Sequence, residues 1–161
     1  MGIKYQLKLN EMLGKLLTNE ISASSMYVEA SGYITDITLS KEILTHAEEE
    51  FGHFQKLMKF CINHGLKTNY DFDRTVIKKV PKNKKQIIKL IQNLEQQAIQ
   101  DYKEATIFAR QNNDIEAEAL FTEIMNDEIE HFDDLAQETG QTRRLGEGFK
   151  NFKAQFEKIE D

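Results

Sequence analysis

Glu50-Phe51-Gly52-His53 and Asp127-Glu128-Ile129-Glu130-His131 each set a carboxylate three residues before an imidazole. On an α-helix, residues three apart share a face about one turn on, so each pair can offer an oxygen and a nitrogen to one point. Two further glutamates, Glu20 and Glu95, fall on the apolar stripes of two other candidate helices. One glutamate from each of two helices and a Glu-x-x-His pair from each of two others make the ligand set of a bundle that holds two metal ions.

The rest of the chain is spaced to supply those helices. From about residue 5 to 35, Leu9, Met12, Leu13, Leu16, Ile21 and Tyr27 recur at helical spacing, with Glu20 inside the stripe. A second helix is expected over about 40–64, with Ser40 as N-cap, Gly65 beyond its end and Ile43, Ala47, Glu50, Phe54, Leu57 and Cys61 on its stripe. A third, about 83–111, places Glu95 among Ile88, Ile91, Ala98, Tyr102 and Ala105, and Asn112-Asn113-Asp114 breaks it. The fourth, about 114–138, carries Ala117, Leu120, Ile124, Glu128, His131 and Leu135, with Gly140 placed to end it.

Leu66 to Pro81 shows no helical period and is long enough to cross a bundle from end to end. A short segment over 147–158 spaces Phe149, Phe152 and Phe156 as a small amphipathic helix that docks on the bundle or on a neighbouring subunit. The expected architecture is all-α: a four-helix bundle with one long crossover and a short fifth C-terminal helix, in a single domain over 1–161.

The chain also echoes itself. Glu20-x6-Tyr27-x-Glu29-Ala30 returns as Glu95-x6-Tyr102-x-Glu104-Ala105, and Glu50-x-x-His53-Phe54 as Glu128-x-x-His131-Phe132. Each half is a helix pair carrying half a site, and a pseudo-twofold axis between the halves would complete a symmetric centre.

Composition narrows the partners. With 161 residues, 40% hydrophobic content and a net charge of -6, the chain has one sizeable core, attracts cations and lacks a general grip on nucleic acid. The lysines at 78, 79, 82, 84 and 85 cluster around the single proline, Pro81, and read as a solvated loop. One cysteine, Cys61, cannot form an intrachain disulfide and sits in an apolar run as a core residue, which fits a reducing cytoplasm. No stretch is apolar enough for a signal core or a membrane span, and Gln6 breaks the myristoylation pattern.

A single glutamate in an apolar stripe is ordinarily a stripe-edge residue or the partner of a buried lysine or arginine. Four of them, with no Lys or Arg on the same stripes, would bury negative charge at several kcal/mol per ion. Two divalent cations bring four carboxylates to neutrality, and one imidazole completes each shell. Oxygen-rich ligation with one nitrogen per metal suits iron or manganese. Tyr27 and Tyr102 are placed to hydrogen-bond a ligand, donate an electron or pack in the core. His46 and Glu49 read as an exposed helix face with a possible part in guiding iron inward. His64 complements a helix C-terminus, and Glu29 and Glu104 point to solvent.

With these six ligands, the runs Tyr102-Lys103-Glu104-Ala105, Asp127-Glu128-Ile129-Glu130-His131 and Gly148-Phe149-Lys150-Asn151-Phe152, and the position of Tyr27, the chain resembles the ferritin-like superfamily, and within it the bacterioferritins. The resemblance implies a ferritin-like four-helix bundle that binds two iron ions per subunit. Glu20 and Glu95 become terminal ligands, Glu50 and Glu128 bridging ligands, and His53 and His131 nitrogen ligands. It also implies ferroxidase activity with O2 or H2O2 as oxidant. The product is ferric mineral stored in a homo-oligomeric cage of 24 subunits, or 12 in a smaller form.

Departures from the family pattern carry their own expectations. Phe51 stands where bacterioferritins place the haem-ligand methionine, so no haem is expected. Thr45 and Glu49 replace that family's inner-surface histidine and aspartate, and the first connection is a few residues shorter. Two related readings remain. A rubrerythrin-like di-iron peroxidase would add a cysteine-rich module and a glutamate where Ala98 stands, and a Dps-like mini-ferritin would typically place its site between subunits.

Overall fold

Four stripes that each enclose a glutamate become the inner faces of four helices in the computed structural model, which describes residues 2–72 and 79–138. The helices are α1 (Ile3–Ser31), α2 (Ile37–Asn63), α3 (Lys84–Gln111) and α4 (Ile115–Glu138), and no strand occurs among the described residues. Short connections make α1 with α2, and α3 with α4, two antiparallel hairpins.

Side-chain pairs fix how the hairpins meet. Tyr27 bonds Glu95 and Tyr102 bonds Glu20, so α1 and α3 run antiparallel. His53 meets Asp127 and Glu49 meets His131, so α2 and α4 do the same. Helices α2 and α3 are therefore parallel, and the segment joining them must return along the whole bundle.

That crossover is anchored at both ends. The Asp71 N–H donates to Thr18 Oγ1 at 3.1 Å, and the Asn69 carbonyl lies directly against Gly14 on α1. At the other end Val80 is buried in the core, and the Lys82 ammonium stands 5.7 Å from the centre of the Tyr33 ring. A Cβ at position 14 would collide with the Asn69 backbone. Gly14→Ala is expected to lower stability by about 1–3 kcal/mol, despite the better helix propensity of alanine. Chemical denaturation of the two proteins side by side measures it.

Helix ends follow side-chain chemistry. Asp36 caps α2, accepting from Thr38 N at 3.1 Å and Leu39 N at 3.3 Å. Ser40, expected to be that cap, lies inside the helix and donates instead to the Ser31 carbonyl at 3.0 Å. Because Asp36 starts α2 early, α1 ends at Ser31 and not near 35. Gly65, with φ +61°, follows the end of α2, and Asn113, with φ 57°, makes the turn into α4. Asp114 caps that helix through Ala117 N at 3.0 Å and accepts the Tyr5 hydroxyl at 2.6 Å, tying the start of α1 to the start of α4.

Among the described residues, two apolar clusters fill the bundle. One gathers Leu9, Leu13, Leu17, Leu57, Phe60, Ala105 and Phe121, the other Met26, Leu39, Ile43, Ile87, Ile91 and Leu135. Fully burying each of the leucine, isoleucine, methionine and phenylalanine side chains is worth about 1.5–3 kcal/mol. On every helix the polar residues of interest fall between the two: Glu20 lies between Leu17 and Met26, Glu95 between Ile91 and Tyr102. The bundle is thus interrupted at mid-height by charge. Lys84, at the start of α3, pairs with Asp36 at 3.2 Å, which gives part of the lysine cluster a structural use. Lys78, Gly140 and the expected fifth helix over 147–158 lie outside the described residues.

Candidate metal centre

Glu20, Glu50, His53, Glu95, Glu128 and His131 are all buried, none more than 4% exposed, and they meet at the middle of the bundle. Helical spacing explains why: each lies on the inward stripe of its helix at the same height. Ligand atoms of Glu20, Glu50, His53 and Glu128 lie within 4.8 Å of one another, and so do those of Glu50, Glu95, Glu128 and His131. Glu50 and Glu128 belong to both groups. The arrangement is two adjoining pockets with two shared carboxylates, which is compatible with a pair of metal ions.

The imidazoles face inward through Nδ1. His53 Nδ1 stands 2.9 Å from Glu128, 3.5 Å from Glu50 and 3.6 Å from Glu20. His131 Nδ1 stands 3.3 Å from Glu50, 3.8 Å from Glu128 and 3.9 Å from Glu95. Among the described residues no lysine or arginine pairs with these four glutamates; their ion-pair partners are the two histidines. Both Nδ1 atoms, both Glu128 oxygens and Glu50 Oε1 are buried without a hydrogen-bond partner. A buried polar atom left unsatisfied costs about 1–3 kcal/mol. Five of them converging on one point fit lone pairs waiting for cations.

Outer partners set the orientation. Asp127 accepts from His53 Nε2 at 3.1 Å and Glu49 from His131 Nε2 at 2.8 Å, which fixes the tautomer and leaves each Nδ1 free to face the centre. The Tyr27 hydroxyl donates to Glu95 Oε1 at 2.5 Å and the Tyr102 hydroxyl to Glu20 Oε1. Each tyrosine holds one oxygen of a glutamate so that the other, Oε2, turns to the imidazole across the pocket. Asp127→Asn, at a residue 40% exposed, is expected to weaken metal binding about 10–100-fold with the helix content unchanged. Anaerobic Fe(II) titration against circular dichroism separates the two effects.

Burial and mutual repulsion dominate the electrostatics. Burial, then the charge of Glu50, pushes Glu20 up to about 8 and Glu95 up to about 7, and the same causes drive Glu128 well above the carboxylate range. Burial alone would lower His131, but Glu50 and Glu95 carry it up to about 9. Without metal, the cluster therefore keeps protons that free side chains would lose at neutral pH.

Sequence reasoning missed several of these partners. Asp127 had a visible signal, since an acid precedes the glutamate of each Glu-x-x-His pair, Glu49-Glu50 and Asp127-Glu128. It was hidden because each acid serves the histidine of the other motif. Tyr27 and Tyr102 likewise bond the glutamate of the opposite half and not the one on their own helix. His46 is the clearest correction: it is 4% exposed, and its ring stacks on His131 with centroids 4.3 Å apart. Burial, then the adjacent His131, lowers it to about 4. Glu29 and Glu104 are exposed, and Cys61 is buried in the core.

Among the described residues, openings reach the centre from two sides. A cavity of about 90 Å³ between α1 and α3 passes Asn19, Ala23, Leu94 and Gln97 to reach Glu20, Glu95 and Glu128. A groove of about 520 Å³ between α2 and α4 runs past Glu49, Asp127, Glu130 and Lys56 to His53 and His131.

The chain matches the family described as ferritin-like domain over residues 10–145, and it belongs to that family. No curated protein matches it. No described helix is long and apolar enough to cross a membrane.

Proposed function

We propose that this chain is a ferroxidase that takes two Fe(II) ions as substrate and stores the ferric product in a homo-oligomeric cage. The observation that carries the reading is the pair of adjoining pockets sharing Glu50 and Glu128, with five buried, unpartnered ligand atoms. Glu20 with His53, and Glu95 with His131, would hold one ion each, and Glu50 and Glu128 would bridge them. Four carboxylates balance two Fe(II) in charge and favour the ferric state over the ferrous, because hard oxygen donors prefer the more highly charged ion.

Each Fe(II) loses one electron. The pair reduces O2 to H2O2 with two protons, or H2O2 to two waters. The protein's part is to bind and orient: Asp127 and Glu49 hold the imidazoles, and Tyr27 and Tyr102 hold the terminal carboxylates. Protons kept by Glu20 and Glu95 before loading must leave as the cations enter, since the ligands bind deprotonated.

Within the family the bacterioferritins remain the nearest pattern, in a haem-free form, because the half-exposed Phe51 ring offers no sulfur ligand. All six candidate ligands come from one chain, unlike an interface site of the Dps kind. Ala98 lines the α1/α3 cavity where a rubrerythrin-like peroxidase would carry an extra glutamate. We place the cage in the cytoplasm, with 24 subunits, or 12 in the smaller form, and with neither membrane nor nucleic acid as a partner. Stepwise aerobic Fe(II) addition followed by desalting tests storage. Iron retained far above two per subunit is expected; a plateau at two would replace storage with the peroxidase reading.

A further inference from the structure

The two halves of the centre match in their ligands and differ behind them. Each pocket has one tyrosine-bonded glutamate and one imidazole, and both share Glu50 and Glu128. Three residues past the histidine the repeat breaks: α2 carries Lys56 there and α4 carries Asp134. The charge at the back of the two imidazoles differs accordingly. Asp127 Oδ2 accepts from His53 Nε2 at 3.1 Å, and the same oxygen lies 3.6 Å from the Lys56 ammonium, which Glu123 holds at 2.8 Å. On the other side Glu49 Oε2 accepts from His131 Nε2 at 2.8 Å, and among the described residues no lysine or arginine pairs with Glu49.

We propose that Lys56 is a positioning residue that makes the two metal positions unequal, so that the first divalent cation takes the Glu95–His131 position and the Glu20–His53 position fills second. The inference rests on the two-metal reading of the centre. An acid that accepts the outer N–H of a metal-bound imidazole makes that imidazole a stronger ligand. Lys56 draws on the Asp127 oxygen that His53 uses, so the support reaching His53 is weakened, whereas Glu49 acts on His131 undiminished. The ammonium also stands on the His53 side of the groove and repels an incoming cation. Its counterpart Asp134, which lines the same groove, attracts one. Lys56 is 41% exposed and Asp127 40%, so solvent and salt moderate the effect without abolishing it.

Crystals of the whole protein, soaked anaerobically in Co²⁺ below one equivalent per subunit and measured at the cobalt edge, read the occupancy of each pocket without any oxidation. In the wild type the peak beside Glu95 and His131 is expected to be about 3–10-fold stronger than the peak beside Glu20 and His53, the scale of partly exposed charges. Lys56→Gln is expected to bring the two peaks close to equality, and Lys56→Arg to keep the wild-type ratio. Glu123→Gln, which leaves the ammonium to Asp127 alone, is expected to widen it. A merely structural role would not move Lys56→Gln and Glu123→Gln in opposite directions. Equal peaks in the wild type, or a ratio that Lys56→Gln leaves unchanged, would overturn the proposal while the two-metal centre stands. Cobalt absent from both pockets would overturn the proposal together with the two-metal reading.

Discussion

Glu128→Gln is expected to abolish the rapid phase of Fe(II) oxidation and, in the same protein, to raise the melting temperature of the metal-free form. The amide keeps the volume, so packing is preserved, but the charge that both pockets share is gone. Loss of an outer partner costs up to about 100-fold; loss of a shared ligand should cost at least that in stopped-flow experiments. The gain in stability comes from the same residue. Both Glu128 oxygens are buried without a hydrogen bond, and burial with the charges of Glu50, Glu20 and Glu95 pushes the carboxyl well above the usual carboxylate range, so that keeping it ionised is a demand on the empty fold. Removing that demand stabilises the apo protein, a trade of stability for function. A purely structural bundle would show the stabilisation with oxidation unchanged.

Metal-free protein is expected to lose stability steadily as pH rises from about 6.5 to 9, and metal-loaded protein is not. In that window unfolded glutamates are already ionised and unfolded histidine loses its proton near 6.5. The native state still holds protons on Glu20 up to about 8, on Glu95 up to about 7 and on His131 up to about 9. The folded form thus binds more protons than the unfolded one, and unfolding free energy must fall as pH increases. Each excess proton costs about 1.4 kcal/mol per pH unit, which for a chain of this size is about 2–4 °C per kcal/mol. The stability that Glu20 and Glu95 contribute is full only below the unfolded carboxylate value of about 4.3, and that of His131 below about 6.5; each is lost as pH rises through the native value. Bound metal displaces those protons, so the gap between loaded and empty melting temperatures should widen with pH. A gap that narrows instead would mean the cations bind elsewhere.

The inward glutamates made the fold readable. Each lies in a run whose apolar spacing already defines a helix, and the length of Leu66–Pro81 is what a parallel α2 and α3 require. The helix bounds were less accessible. Ser40 and Asp36 are both good caps by composition, and only the tight turn after Ser31 lets Asp36 reach Thr38 and Leu39 first.

At the site, the six inward residues follow from helical period alone, because period decides which side chains share a face. Their outer partners do not. Tyr27 with Glu95, His53 with Asp127 and His46 over His131 each join two hairpins, and the register between hairpins is set by three-dimensional packing that no single helix encodes. Gly14 shows the same limit: nothing in its own helix calls for glycine, and the Asn69 carbonyl that requires it arrives from the crossover.

Anomalous X-ray scattering at the iron edge, from crystals loaded anaerobically with Fe(II), tests the central claim most directly. Two peaks in each subunit are expected, one among Glu20, Glu50, His53 and Glu128 and one among Glu50, Glu95, Glu128 and His131. Iron found only on the surface of the bundle would contradict it.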